Sequence, residues 1–409
     1  MHTAPKKHEI VEFLISIAES LHHYGAAAHH IEAALTGLSN RFCEKGEFFV
    51  TPTSLICSFK FADEWVTRLK RVEPGGIDLG KLAEVDAIGD RVIRAEIGLE
   101  QGTRLIQDLA DEKDSRLWLL AKWLSFAVAS AGFCGFFFGS WYEMAATGAI
   151  SSLIWLVVLL SAKTKLFGSM QEFVIAVLVA LLSFTVLQFV PQVNPEKILL
   201  SSLIVLLPGL SFTVALSEIA TKNWMAGTSR LMGAGAELSK IAFGAVFGSL
   251  FALSALNIEV ATLTNAIPTE HVIPEPVLLV PSALAFAILF SNQPKDYLWV
   301  ILAATLAYYS AKWGGSVFAK ELGVFWGGAT LAALSNIFAR VFQRPALTLL
   351  LPGLIPMVPG SVGYRSITAV FRHDVNLTME MTLNLVIVGI ALVSGLSFGN
   401  LLVHPRRSL

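Results

Sequence analysis

The chain has 409 residues, of which 54% are hydrophobic and 15% charged, against about 25% charged in ordinary globular domains. Its net charge is −1, and the absence of a basic stripe with interleaved aromatics argues against a nucleic-acid partner. Cys43, Cys57 and Cys134 are scattered with no CxxC pair, which gives no ground for a disulfide framework or a zinc site, and a reducing cytosolic setting suits the first two.

Lys and Glu crowd residues 1 to 116 and then thin to the edges of apolar runs. The start, MHTAPKKHEI, lacks the apolar core of a signal peptide, so the soluble part is expected in the cytoplasm. His8 to Tyr24 and Ala26 to Glu44 carry helical periodicity, with Ile10, Phe13, Leu14, Ile17 and Leu21 on one face of the first and Gly25 between the two. Glu47 to Lys60 and Glu64 to Val72 read as two strands joined by a turn at Ala62-Asp63. After the turn at Pro74-Gly75-Gly76, a helical pattern runs from Leu79 to Leu109 with a break near Gly98 or Gly102. An α+β domain over residues 1–115 is expected, large enough to bury its own core. His22, His23, His29 and His30 cluster there, but no carboxylate or Cys pattern completes a metal site, so they are read as solvated or capping residues. There is no HExxH or P-loop. Without a P-loop, transport should draw on an ion gradient or on the substrate's own.

Ten apolar stretches follow: 123–142, 144–162, 173–195, 198–217, 241–258, 276–294, 297–311, 322–339, 345–364 and 381–405. Most have the length of a membrane helix, and the short seventh relies on Lys312 and Trp313 at the interface. The expected fold is an α-helical polytopic membrane protein of about ten transmembrane helices. Two inverted five-helix repeats, 116–260 and 261–409, would follow the small α+β cytoplasmic domain. Lys163, Lys165, Lys222, Arg230, Lys240, Lys295, Arg340, Arg344, Arg406 and Arg407 outnumber Lys197, Lys312, Lys320, Arg365 and Arg372 on the other side. The longest outer loop, 257–274, holds no Lys or Arg, so both termini are expected inside.

Two stretches are interrupted. Ile198 to Ser217 contains Pro208-Gly209, and Pro345 to Tyr364 contains Pro352-Gly353. LLPGLSF (206–212) and LLPGLIP (350–356) begin with the same five residues, and interrupted spans at matching places in two halves point to a transporter's substrate site. Glu143, Glu172, Glu218, Glu237, Glu321 and Glu380 are the acids near the spans. Glu237 with Lys240 reads as an i,i+3 pair and Glu321 adjoins Lys320. Glu218 closes the first broken stretch and is the candidate proton carrier, with Glu172 and Glu380 next.

YGAAAHHIE (24–32), Thr53, Thr67, Arg71, GIDLGKL (76–82), SAGFCGFFFG (130–139), LLPGLSF and LLPGLIPMVPGSVGYRS, in this order over nearly the whole chain, resemble the threonine/serine exporter family of bacterial membrane proteins. The resemblance implies a secondary exporter of small polar metabolites in the fused, one-chain form. The expected cargo is threonine or serine, or a dicarboxylate such as succinate as in some two-subunit relatives. Where family members often carry Asp after the first break, this chain has Glu218. A zwitterion's carboxylate suits half-helix N-termini, so the expected substrate set is Pro208, Gly209, Ser211, Thr213, Pro352, Gly353, Pro359, Gly360 and Ser361. Gln188 and Asn336 join it as polar residues within spans. Ser211 and Ser361 are expected to cap the restarting half-helices. No cofactor or metal is expected. The partners are the substrate, the proton and the bilayer, and self-association into a homo-oligomer stays open. A membrane-anchored hydrolase and a passive channel are the rival classes; ten spans exceed what an anchor needs, and no ring-forming charge motif marks a channel.

Overall fold

A computed structural model describes residues 6–62, 64–73, 75–164, 168–258, 273–319, 322–358, 360–371 and 374–405. Of the positions singled out above, Asp63, Pro74, Lys165, Lys320, Glu321, Pro359, Arg372, Arg406, Arg407 and loop residues 259–272 lie outside the described residues, as do the side chains of residues 162–164.

Helices α1 (Lys7–His23) and α2 (Ala28–Phe42) form where the apolar spacing predicts, burying Phe13, Leu14 and Ile17 on the first and Ile31, Leu35 and Leu38 on the second. Gly25 turns the chain between them at φ +93°, a left-handed conformation that glycine adopts without a Cβ clash. Three strands follow where two were expected: β1 (Lys45–Thr51), β2 (Ser54–Phe61) and β3 (Glu64–Arg71), antiparallel and in that order. Phe49 faces Ile56 across the first pair, and Ser58 faces Thr67 across the second. The stretch 47–60 is a hairpin because Pro52 has no N–H for a ladder. Thr51 Oγ1 accepts from the Ser54 N–H at 3.0 Å and closes the turn. Asp78 caps α3 (Leu79–Ile93) by accepting from the Lys81 N–H at 2.9 Å, and Gly98 precedes α4 (Leu99–Asp111), which fits the expected break. These elements share one apolar core, which also takes in Ala226 and packs against Leu347.

The remaining chain is helical: α5 (Arg116–Phe136), α6 (Trp141–Thr164), α7 (Gln171–Phe189), α8 (Pro195–Leu203), α9 (Gly209–Ala220), α10 (Trp224–Ala255), α11 (Glu275–Leu289), α12 (Tyr297–Val317), α13 (Gly323–Phe342), α14 (Leu347–Leu354), α15 (Gly360–Phe371) and α16 (Val375–Leu402). Among the described residues, six helices are long and apolar enough to cross a bilayer, within α5, α6, α7, α10, α13 and α16. Leu347–Met357 with Gly360–Phe371, bent by 41°, makes a seventh if counted as one span, while α9 and α11 are shorter apolar helices. The chain is thus a polytopic helical membrane protein.

Two boundaries differ from the hydropathy reading. Helix α10 begins at Trp224, well before residue 241, because Arg230, Glu237 and Lys240 sit between its start and that residue and mask the continuous helix from an apolar window. Helix α12 runs through Lys312 to Val317, with the Lys312 ammonium 2.6 Å from Glu275. Lys240 does not pair with Glu237; it crosses to α7 and meets Glu172 at 2.7 Å.

Residues 7–111 sit on one end of the bundle, here termed proximal. They touch Glu218 at the close of α9, Ala226 at the start of α10, Phe290 after α11 and Leu347 at the start of α14. The two interrupted segments therefore run in opposite directions: α8–α9 toward the proximal end, α14–α15 away from it.

Candidate functional site

After α8 the chain unwinds over Ile204 to Pro208 and restarts as α9 at Gly209. Pro208 is the N-cap residue and has no side-chain cap bond, so Ser211 does not cap this end as expected. The first N–H groups of α9 have no intrahelical acceptor, and the helix dipole leaves partial positive charge there.

The second break lies elsewhere than the repeated LLPGL suggests. Pro352 and Gly353 sit inside α14, buried, and the chain unwinds only after a 3₁₀ turn at Ile355–Met357, restarting as α15 at Gly360. Helix survives at Pro352 because its missing N–H is replaced. The carbonyl of Thr348, four residues earlier, accepts instead from the buried Asn292 Nδ2 at 2.8 Å. Gly353 packs toward Leu331, not toward a substrate cavity. The counterpart of Gly209 is Gly360, since each is the first residue of its restarting helix.

These two glycines touch. A Cβ on Gly209 would stand 2.9 Å from Gly360 Cα and 3.0 Å from its nitrogen, and one on Gly360 would stand 3.2 Å from Gly209 Cα. Two helix N-termini thus meet backbone to backbone, and α9 and α15 leave that point in opposite directions. Beside them opens a cavity of about 390 Å³, within the range of ~300–1,000 Å³ typical of ligand sites. Pro208, Gly209, Ser211, Gly360 and Ser361 line it, with walls from Phe133, Phe136, Phe137, Phe286 and Tyr308. Edge-to-face packing of Phe133 on Phe286, centroids 5.9 Å apart, stiffens one wall. Among the described residues, no charged side chain lines the cavity. Its contribution from the N-terminal region among the described residues is Ile77, which precedes the contacts of Leu79 N–H with Phe290 O (2.8 Å) and Gly80 N–H with Ser291 O (3.0 Å). The aromatic wall and Ile77 escaped a reading centred on Pro-Gly pairs, although FCGFFFG (133–139) displays three of its rings.

Other expected site residues lie apart from the cavity. Thr213 is buried and donates to Gly209 O at 3.3 Å. Gln188 is exposed and donates to Leu256 O at 3.1 Å. Asn336 Nδ2 donates to Asn400 Oδ1 and Val403 O, both at 2.7 Å, beside a smaller cavity of about 130 Å³ shared with His29 and His30. Pro359 lies outside the described residues.

Glu218 is wholly buried at the junction with the N-terminal region. Its carboxylate accepts from Arg230 Nε at 3.0 Å, from Arg230 Nη2 at 3.2 Å and from the Ala28 N–H at the start of α2 at 2.9 Å. Nearby, Asn223 Nδ2 donates to Glu32 Oε2 at 2.9 Å, and Glu32 Oε1 accepts from the Val50 N–H of β1 at 3.0 Å. Of the four histidines, His23 and His30 are exposed, as expected of a solvated set, whereas His22 is buried and His29 half-buried, and burial with the charge of Arg230 pushes His29 down to about 4. Glu172 is half-buried in its pair with Lys240, and Glu380 is exposed. Glu143 is buried and joins two turns, accepting from the Ser140 and Asn194 N–H groups.

Comparison with known proteins gives this arrangement its context. The model named ThrE, for threonine/serine exporters, matches residues 12–252, and a second, described as "Threonine/Serine exporter, ThrE", matches residues 276–402. Among curated proteins, "Pheromone-regulated membrane protein 10" of Candida albicans is 25% identical over 366 residues, covering 87% of this chain and 33% of its own length. The protein of that name in Saccharomyces cerevisiae is 25% identical over 430 residues, covering 96% and 54% respectively. The chain thus spans about a third to a half of these fungal relatives. No solved structure matches. With one family model over more than half its length and its partner over most of the rest, the chain belongs to the threonine/serine exporter family.

Proposed function

We propose that this protein is a secondary active exporter of threonine and serine driven by the proton gradient. The observation that carries the reading is the meeting of two half-helix N-termini at Gly209 and Gly360 beside a cavity that has no charged side chain among the described residues. The converging dipoles of the two helix N-termini favour a carboxylate there, although the Gly209 N–H itself is taken by Leu207 O at 2.8 Å. Ser211, Ser361 and Tyr308 offer hydroxyls to a small polar side chain. The aromatic walls offer ring faces to an ammonium group.

The antiparallel course of α8–α9 and α14–α15 supports two inverted halves, 116–260 and 261–409, of five spans each. That count takes α8–α9, α11 and α12 as spans beside the seven of sufficient length. Residues 1–115 would then be a cytoplasmic domain of a cell-membrane protein with both termini inside. Proton coupling is assigned to Glu218 on its complete burial at the end of the first broken segment. Arg230 and α2 hold its carboxylate in this conformation, so uptake of a proton would accompany release of those partners.

A dicarboxylate such as succinate is the second reading. Two positive helix ends with no acidic side chain among the described lining residues favour it. Counterflow in proteoliposomes with threonine, serine and succinate decides between them: exchange of the amino acids alone supports the first reading, exchange of succinate alone the second, and exchange of none overturns both.

A further inference from the structure

The distal end of the bundle holds a second, larger cavity of about 710 Å³, and Phe137 is part of its lining as well as of the central one. Lys197 on α8 and Arg365 on α15 reach this vestibule, so each interrupted segment contributes one cation to it.

The Arg365 guanidinium lies 5.4 Å from the centroid of the Phe137 ring, and among the described residues no carboxylate pairs with it. Lys197 Nζ donates to Phe138 O at 2.9 Å, on the turn that carries the same aromatic wall. Arg365 follows Ser361 by one helical turn on the same face of α15, so the two are neighbours along the helix surface. One faces the central cavity and the other the vestibule.

We propose that the vestibule is a second binding station for the substrate carboxylate, held by Arg365 with Lys197 and separated from the central cavity by Phe137. A guanidinium resting on a ring face keeps its N–H fork available and exchanges a cation–π contact for a charge-assisted bidentate bond when a carboxylate arrives. Glu196 on the vestibule's rim adds one acid to the two cations, so the lining carries a net positive charge that favours anionic over cationic groups. The station rests on the exporter reading and deepens it: the carboxylate passes from backbone N–H groups at Ser361 to a side-chain cation one turn further along α15.

The test pairs equilibrium binding with counterflow, using the full chain and radiolabelled threonine, serine and succinate. Arg365→Gln should keep binding within about twofold and slow counterflow about tenfold, the lower end of what loss of one charge-assisted hydrogen bond costs. Arg365→Lys should recover to within about threefold by restoring the charge. Wild-type counterflow in Arg365→Gln, or loss of binding in step with counterflow, overturns the station. Should Arg365→Gln fail to fold, Lys197→Gln carries the test: counterflow slowed about threefold with binding kept supports the station, and an unchanged rate overturns it. Absence of binding and counterflow in the unaltered protein for all three substrates is a different failure, since it removes the exporter reading itself.

Discussion

Substituting alanine at the two touching glycines should separate the geometry of the site from the stability of the fold. A Cβ at Gly209 comes closest to Val358 Cγ1, a side-chain methyl that can turn aside, and then meets Gly360 Cα at 2.9 Å and Gly360 N at 3.0 Å. The two Gly360 atoms are backbone atoms that no rotamer change can move. Restoring an ordinary contact requires α9 and α15 to part by roughly 0.5 Å, with a packing cost of about 1–3 kcal/mol. The alanine in turn favours helix over glycine by about 1 kcal/mol, so the two effects nearly cancel in stability. They do not cancel in position. Because a displacement of ~1 Å in a preorganised site costs about a hundredfold, Gly209→Ala should cut counterflow roughly tenfold while the melting temperature moves by only a few degrees. At Gly360 the nearest atoms, Gly209 Cα at 3.2 Å and Gly209 N at 3.4 Å, leave more room. There Gly360→Ala should cost only about twofold to threefold, on the same positional argument. Counterflow and thermal melts on the same preparations check both. Full transport by Gly209→Ala, or a greater loss at Gly360 than at Gly209, would refute the idea that this contact sets the site.

Asn292→Leu removes the donor to Thr348 O, and an unpaired buried carbonyl costs about 1–3 kcal/mol, so the melting temperature should fall; an unchanged melt would show that Pro352 needs no substitute donor. Glu218→Gln should abolish accumulation driven by a pH gradient while leaving counterflow partly intact, because glutamine keeps the shape and cannot titrate; full pH-driven accumulation would remove Glu218 from the coupling role. His29 has its folded pKa lowered from 6.5 to about 4 by burial and by Arg230. Its contribution is therefore fully present above pH 6.5 and is lost as pH falls toward 4, where the unfolded chain binds the proton first. Melting temperature should drop between pH 7 and pH 5, and His29→Asn should flatten that slope; an identical slope in the variant would exclude His29 as the cause.

Much of the fold is written in local patterns. The periodicity of Ile10, Phe13, Leu14 and Ile17 marks α1, and the charge-bounded apolar runs mark the bundle. What the sequence conceals depends on partners distant in the chain. Pro352 looks like a helix breaker until Asn292, sixty residues earlier, supplies its missing hydrogen bond. The identical LLPGL pairs therefore mislead: the structural match is Gly209 with Gly360, and only the second Pro-Gly of the later segment corresponds to the first of the earlier one. Gln188 and Asn336 were chosen for polarity within spans, yet each satisfies a carbonyl at a helix end, a need that hydropathy does not display. The histidine cluster reads as solvated because its sequence neighbours are small and mixed; His23 and His30 are exposed, while His22 is buried and His29 half-buried.

Ile77 belongs to the N-terminal region and yet forms part of the wall of the central cavity. Its flanking backbone is stitched to the end of α11 by Leu79 and Gly80, and a Cβ at Gly80 would press to 2.6 Å from Ser291 O, so that seam admits only glycine without displacement. The N-terminal region and the central cavity are consequently in mechanical series. Any route that opens past Ile77 has to part this seam, and force applied to residues 7–111 reaches the cavity without passing through a flexible tether.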